Sequence, residues 1–212
     1  DAPFSVAGIV AQIGGSVGFA LAPDAGTTAE LLYERADYAL YHAKAKCRGQ
    51  PVIFSHEHEV EIRRLSTIEH TLRTIDLDAE LSLHFQPIVN VGTGRLIGFE
   101  ALARWYNSEL GSVPPDVFIA VAERTELIGT VTQVLLRKAL VAARSWPEDM
   151  ILSFNLSMRD LVSDATILRI VSMIRGSGIN PRRIIVEVTE TALMQDYEQV
   201  QDSLRILRAL GL

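Results

Sequence analysis

The chain has 212 residues, 48% of them hydrophobic and 22% charged, which argues against a disordered or fibrous protein and suits one large globular domain or two smaller ones. Its net charge of −6 and sequence pI near 5.4 lack the basic excess that neutralises nucleic-acid backbones, so no DNA or RNA polymer is expected as partner. A single cysteine, Cys47, precludes an intrachain disulfide and a thiolate zinc cluster. No run reaches the ~20 apolar residues of a membrane span and no signal-peptide pattern opens the chain, so the cytoplasm is the expected compartment, with any membrane anchor upstream of Asp1.

In chain order, residues 4–10 and 16–21 are β-prone runs separated by Gly14-Gly15 and read as adjacent strands. Thr27-Thr28-Ala29-Glu30 has capping-box spacing. Leu32, Ala36, Ala39, Leu40 and Ala43 then repeat at helical intervals, which predicts a helix to about Lys46. Pro51 to Phe54 is a short strand. Residues 1–55 are thin for an independent core.

Ser16-Val17-Gly18-Phe19-Ala20, then Ala36-Asp37-Tyr38-Ala39-Leu40-Tyr41-His42-Ala43-Lys44 and Arg48, resemble the last third of a GGDEF domain, the diguanylate cyclase fold. The resemblance implies that Lys44 and Arg48 are vestigial contacts to the phosphates of GTP. Cys47 stands where the family has glycine and Gly49 where it has asparagine. The signature loop of the family would lie before Asp1, so no cyclase activity is expected of these residues. As cations at the end of a helix, Lys44 and Arg48 would also simply favour the helix dipole.

Leu65, Ile68, Leu72 and Ile75 form one apolar seam, which predicts a connecting helix over 56–76. His56 and His58, in its polar first turn, read as solvated surface. In Leu81 to Pro87, Leu81, Leu83 and Phe85 share one strand face while Ser82, His84 and Gln86 share the other. A turn at Gly92-Thr93-Gly94 leads into Gly98 to Trp105, so these two strands are expected to be antiparallel neighbours. Helices then alternate with strands: helices at 115–124 and 130–144, a strand at 150–156, a helix capped by Asp164 and closed by Gly176, a strand from Arg183 to Glu187 or Val188, and a helix at 196–210. That alternation means parallel strands covered by helices, in a barrel or a doubly wound sheet.

Within Gly98 to Trp105, Glu100, Leu102 and Arg104 point to one face. A carboxylate and a guanidinium there are open to two readings, an ion pair on a solvated face or part of a site. The strands at 151–155 and 184–187 also end in an oxygen-bearing side chain, Asn155 and Glu187, which favours a site at the strand ends. Oxygen donors alone suit Mg²⁺ or Mn²⁺.

Gln86-Pro87-Ile88, Gly98-Phe99-Glu100-Ala101-Leu102-Ala103-Arg104-Trp105, Phe118-Ile119 with Ala122-Glu123, Asn155-Leu156-Ser157 and Glu187-Val188-Thr189-Glu190 resemble, in order and spacing, an EAL domain. The resemblance implies an α/β fold, residues 77–212 forming the N-terminal half of a modified TIM-type barrel with an antiparallel first strand. It implies cyclic di-GMP phosphodiesterase activity. Glu100, Asn155 and Glu187 would bind catalytic Mg²⁺ or Mn²⁺, with Glu100 and Glu187 catalytic, and Arg104, Gln86 and Leu102 would bind substrate. Glu190 falls on the opposite strand face from Glu187, so it either supports a nearby loop or is a surface acid heading the next helix. Glu126 replaces the glycine of the A-E-x-x-G pattern, so the loop after the helix at 115–124 is expected to be reshaped. The family's paired aspartates would fall after Leu212. The 212-residue chain is therefore expected to be an inactive fragment of an active parent, its open sheet edge covered by a second copy (a homodimer through the EAL half or through that edge), by swapped elements, or by further residues of the parent. The alternative is a catalytically inactive module that senses cyclic di-GMP or GTP.

Overall fold

The structure is a computed structural model that describes residues 3–6, 9–11, 14–188 and 197–212. The chain divides into two compact units, Asp1–Ser66 and Thr67–Leu212. Both are mixed α/β.

In the first unit, β1 (Phe4–Val6) and β2 (Ile9–Ala11) pair antiparallel with each other, while β3 (Val17–Phe19) pairs in parallel with β4 (Pro51–Ile53). The runs 4–10 and 16–21 are thus not neighbouring strands. A helix between β3 and β4 supplies the crossover that parallel pairing requires, and it makes β4 the partner of β3. That helix, α1 (Ala29–Lys46), begins at Thr28, whose hydroxyl accepts from the Leu31 backbone N–H at 3.3 Å, one residue later than the Thr27 spacing suggests. It lies close on β3 because residue 18 is glycine: a Cβ there would sit 2.2 Å from the Ala36 carbonyl oxygen. Ala25, Ala39 and Phe54 form a small buried core, flanked by Leu32, Tyr38, Val52 and Ile62.

The next helix, α2, spans His56–Thr74. His56 is exposed as expected, but His58 is not solvated surface. Its ring centroid lies 4.7 Å from that of His42 and 5.7 Å from that of Phe54, because α2 returns the chain against α1 beside β4. Its Nδ1 accepts from the Ser55 backbone N–H at 3.0 Å, a cap that only an unprotonated nitrogen can make. Burial, followed by the nearby His42, lowers its pKa from the ordinary 6.5.

The second unit opens with a short helix, α3 (Leu77–Glu80), capped by Asp76. Its sheet contains β5 (Leu81–Val89), β6 (Leu96–Asn107), β7 (Gly111–Val113), β8 (Ile151–Asn155) and β9 (Ile184–Glu187), in the order β5-β6-β8-β9 with β7 also on β6. β5 and β6 are antiparallel, as the turn at 92–94 predicts, and β6, β8 and β9 run parallel. Helices α4 (Pro115–Arg124) and α5 (Ile128–Ala143) carry the chain towards β8. α6 (Met158–Leu161), α7 (Asp164–Ser177) and a 3-10 turn (Pro181–Arg183) carry it to β9, and α8 (Tyr197–Leu210) follows. The N-cap of α7 is Ser163 rather than Asp164, its hydroxyl accepting from the Thr166 N–H. The helix closes at Gly178, φ 75°, and runs through Gly176. Glycine can adopt that left-handed backbone without the cost a Cβ brings, which sets the stop two residues later.

Strand alternation sorts the sheet into two faces. Leu81, Ala101, Trp105, Leu152, Phe154 and Ile184 are buried on the side packed against the helices, with Phe118 of α4 and Val131, Leu135 and Ala139 of α5. Trp105 Nε1 and Asn107 Nδ2 both donate to Glu80 Oε2 at 2.9 Å, so the buried indole N–H is satisfied. Gly98 lets β8 approach β6: a Cβ would lie 2.3 Å from the Ile151 carbonyl oxygen. The opposite face carries the polar residues.

Candidate functional site

Register places the polar residues. Gln86 on β5 lies directly opposite Glu100 on β6. Across β6 and β8, Glu100 pairs with Ser153, and two residues further along β8 Asn155 pairs with Glu187 of β9. With the period-two alternation of strands, Gln86, Glu100, Asn155 and Glu187 therefore share one face at adjoining strand positions. The side chains bear this out. Asn155 Nδ2 donates to Glu100 Oε1 at 2.8 Å, which leaves the amide oxygen as the atom Asn155 can present to a cation.

Ser153 was not singled out by sequence reasoning, yet its hydroxyl donates to Glu187 Oε1 and the residue is 1% exposed. The signal was a hydroxyl inside an otherwise apolar strand, two residues before Asn155 and hence on the same face. Together these contacts link Glu100 to Asn155 and Ser153 to Glu187 across three strands. The donors are two carboxylates and one amide oxygen, a set suited to a hard divalent cation. Among the described residues no group of three or more His, Cys, Asp or Glu side chains gathers to hold a metal.

Arg104 is half-buried, and its Nη1 donates to the Ala103 carbonyl at 2.7 Å. Beside it opens a cavity of about 510 Å³ whose lining includes Leu102, Arg104, Asn155, Pro115, Glu123 and Thr132. Gln86, Glu100 and Glu187 are not part of that lining. They stand on the open face of the sheet, Gln86 and Glu187 exposed and Glu100 partly so. Burial, followed by the charge of Asp160, raises the pKa of Glu123. Glu190 lies outside the described residues. Lys44 is exposed in the last turn of α1 and Arg48 is exposed just past the helix end.

Glu126 follows α4 with a φ of 63°, the one non-glycine residue with positive φ among the described residues. The backbone there keeps the conformation that suits glycine, and the sequence has a glutamate in it. Glu126 is thus a strained side-chain-bearing residue in a glycine-type turn.

Comparison with known proteins gives the family of the chain. Residues 68–212 match the EAL domain family. An uncharacterized signaling protein of Caulobacter vibrioides is 38% identical over 99% of this chain and 26% of its own length. The bifunctional diguanylate cyclase/cyclic di-GMP phosphodiesterase MucR of Pseudomonas aeruginosa is 30% identical over 99% of this chain and 31% of its own length. The chain thus spans between a quarter and a third of these curated relatives. The solved structure of the PaMucR phosphodiesterase in complex with c-di-GMP superposes with a TM-score of 0.63 and 29% identity, covering 69% of this chain and 61% of that one. No helix among the described residues is long and apolar enough to cross a membrane. The antiparallel β5, the Glu100-Ala101-Leu102 strand beside it and the family match over 68–212 converge, and the chain belongs to the EAL domain family.

Proposed function

We propose that this protein takes part in cyclic di-GMP signalling by hydrolysing the cyclic dinucleotide to its linear form. The observation that carries the reading is the Glu100–Asn155 hydrogen bond of 2.8 Å with Asn155 in register with Glu187, which puts three oxygen-bearing side chains on one sheet face, Asn155 and Glu187 at the ends of β8 and β9 and Glu100 within β6. Glu100, Asn155 and Glu187 would hold Mg²⁺ or Mn²⁺, with Glu100 and Glu187 the catalytic carboxylates. The metal, when bound, supplies positive charge for the developing phosphate oxyanion and lowers the pKa of a water. The chain's own residues bind and orient the substrate. Arg104 turns its planar fork from the Ala103 carbonyl to a phosphate, Leu102 packs beside a base, and Gln86 meets the substrate on the open sheet face from its position opposite Glu100. Ser153 fixes the rotamer of Glu187 by donating to it. Glu190 is assigned to supporting a loop near the site.

The names of similar proteins support this reading, MucR carrying both cyclase and phosphodiesterase activities in its own. Residues 1–55 are proposed as the end of a GGDEF domain, in which Lys44 and Arg48 are vestigial phosphate contacts. Residues 56–76 are proposed as a connector and 77–212 as the EAL portion, all in the cytoplasm.

The test is turnover of cyclic di-GMP by the purified full-length protein in Mg²⁺ or Mn²⁺. Glu100→Ala is expected nearly to abolish it, and full activity in that variant overturns the assignment. Arg104→Lys is expected to weaken substrate affinity although the charge is kept. Unchanged affinity by calorimetry removes Arg104 from the phosphate site.

A further inference from the structure

Behind the proposed site lies a carboxylic acid that hydrolysis as described does not use. Asp160, on α6, is 1% exposed. Its Oδ2 accepts from the Thr132 hydroxyl of α5 at 2.8 Å and from the Ser157 backbone N–H at 3.1 Å. Ser157 returns the bond, its hydroxyl accepting from the Asp160 N–H at 3.2 Å, which closes a capping box on the turn that directly follows Asn155. The other oxygen, Oδ1, is buried without a hydrogen-bond partner among the described residues. An ionised carboxylate with an orphaned buried oxygen is costly. A proton on Oδ1 turns that orphan acceptor into a donor while Oδ2 keeps both of its bonds.

Among the described residues the charged groups around it are few. From α4, Glu123 and Asp116 line the adjoining cavity, and Arg104 lines it from β6. Arg159, next to Asp160 on α6, is exposed and eases the ionisation of Glu123. Of the other helices packed on α6, α5 presents the Thr132 hydroxyl, α8 presents Ser203 to the Leu161 carbonyl, and Asp164 at the start of α7 is engaged by Gln199. Glu123 is the carboxyl on which the charge of Asp160 is felt.

We propose that Asp160 is a positioning residue which, as a neutral carboxyl, fixes the turn after Asn155 against α5. Burial raises the pKa of Asp160 above its ordinary 3.8, against the pull of Thr132 and Ser157. In the folded protein Asp160 therefore holds a proton that the unfolded chain has released. Its contribution to stability falls as pH rises from about 4 through its folded pKa.

The protonation half of the proposal is independent of any activity. Thermal unfolding of the full-length wild type and Asp160→Asn is compared from pH 4 to pH 8. The melting temperatures should coincide near pH 4 and separate with rising pH, the Asn variant becoming the more stable. A gap that does not change with pH overturns the neutral carboxyl.

The positioning half rests on the hydrolase reading. Asp160→Ala, which removes the acceptor, should lower kcat by ~10-fold with KM little changed, whereas Asp160→Asn, which keeps it, should retain turnover. Equal activities in the two variants overturn the positioning role. Should the wild type hydrolyse nothing, the hydrolase reading fails. The side-chain amide resonances of Asn155 then decide: a shift in Asp160→Ala and not in Asp160→Asn supports the positioning role, and unmoved resonances in both overturn it.

Discussion

His58 in the first unit and Asp160 in the second are both pushed towards their neutral forms, chiefly by burial, yet they respond to acid in opposite directions. His58 is a base whose bare Nδ1 accepts from the Ser55 N–H, so a proton destroys its bond. Asp160 is an acid whose Oδ1 has no partner among the described residues, so a proton relieves it. Burial sets the neutral state, while the hydrogen-bond partners decide what titration does to the surrounding fold.

The same pairing of units orders the expected effects. The largest come from the two glycines that let main chains touch. Gly18→Ala should destabilise the first unit and Gly98→Ala the second, each by about 1–3 kcal/mol in urea denaturation, because the new Cβ would meet backbone 2.2 and 2.3 Å away. If either variant matches wild type, the close approach does not constrain that unit. Ser153→Ala should come next, costing about 1 kcal/mol and lowering turnover in the full-length protein as Glu187 loses its donor. Stability and turnover both unchanged would remove Ser153 from the site. Glu126→Gly should stabilise by about 1 kcal/mol, since the φ of 63° suits glycine. A loss of stability there would mean that the glutamate side chain outweighs its backbone strain.

The smallest effect is expected at His58. His58 has a folded pKa below the ordinary 6.5, so the unfolded chain takes up the proton first. Its contribution is present above pH 6.5 and is lost as pH falls through the window between that value and the lowered folded one. His58→Gln, whose amide oxygen can still accept from Ser55, should flatten that acid loss. An identical acid profile in wild type and variant would show that the Ser55 cap does not depend on the imidazole.

Much of the second unit was legible in the sequence. The alternation in Leu81 to Pro87 and in Gly98 to Trp105, with a glycine turn between them, specified an antiparallel pair, and the structure has Gln86 opposite Glu100. Less could be read where long-range packing decides. The partner of β3 is β4, brought alongside by α1, and nothing local to residues 16–21 distinguishes that from pairing with residues 4–10. His58 looked like surface because its immediate neighbours are charged, whereas His42 and Phe54 approach it from other elements. Ser153 and Asp160 were passed over for a related reason. A lone hydroxyl in a strand and a lone acid in a short helix gain meaning only when Glu187 and Thr132 are seen beside them.

The central claim is that Glu100 and Glu187, on strands separated by β8, act as arms of one site joined through Asn155 and Ser153. A double-mutant cycle of Glu100→Gln and Glu187→Gln, read as kcat/KM for cyclic di-GMP in the full-length protein, tests it most directly. Carboxylates that serve one metal site fail together, so the double variant should fall no more than about tenfold below the worse single variant. Losses that simply multiply would mean that the two carboxylates act independently, and the single-site reading would be wrong.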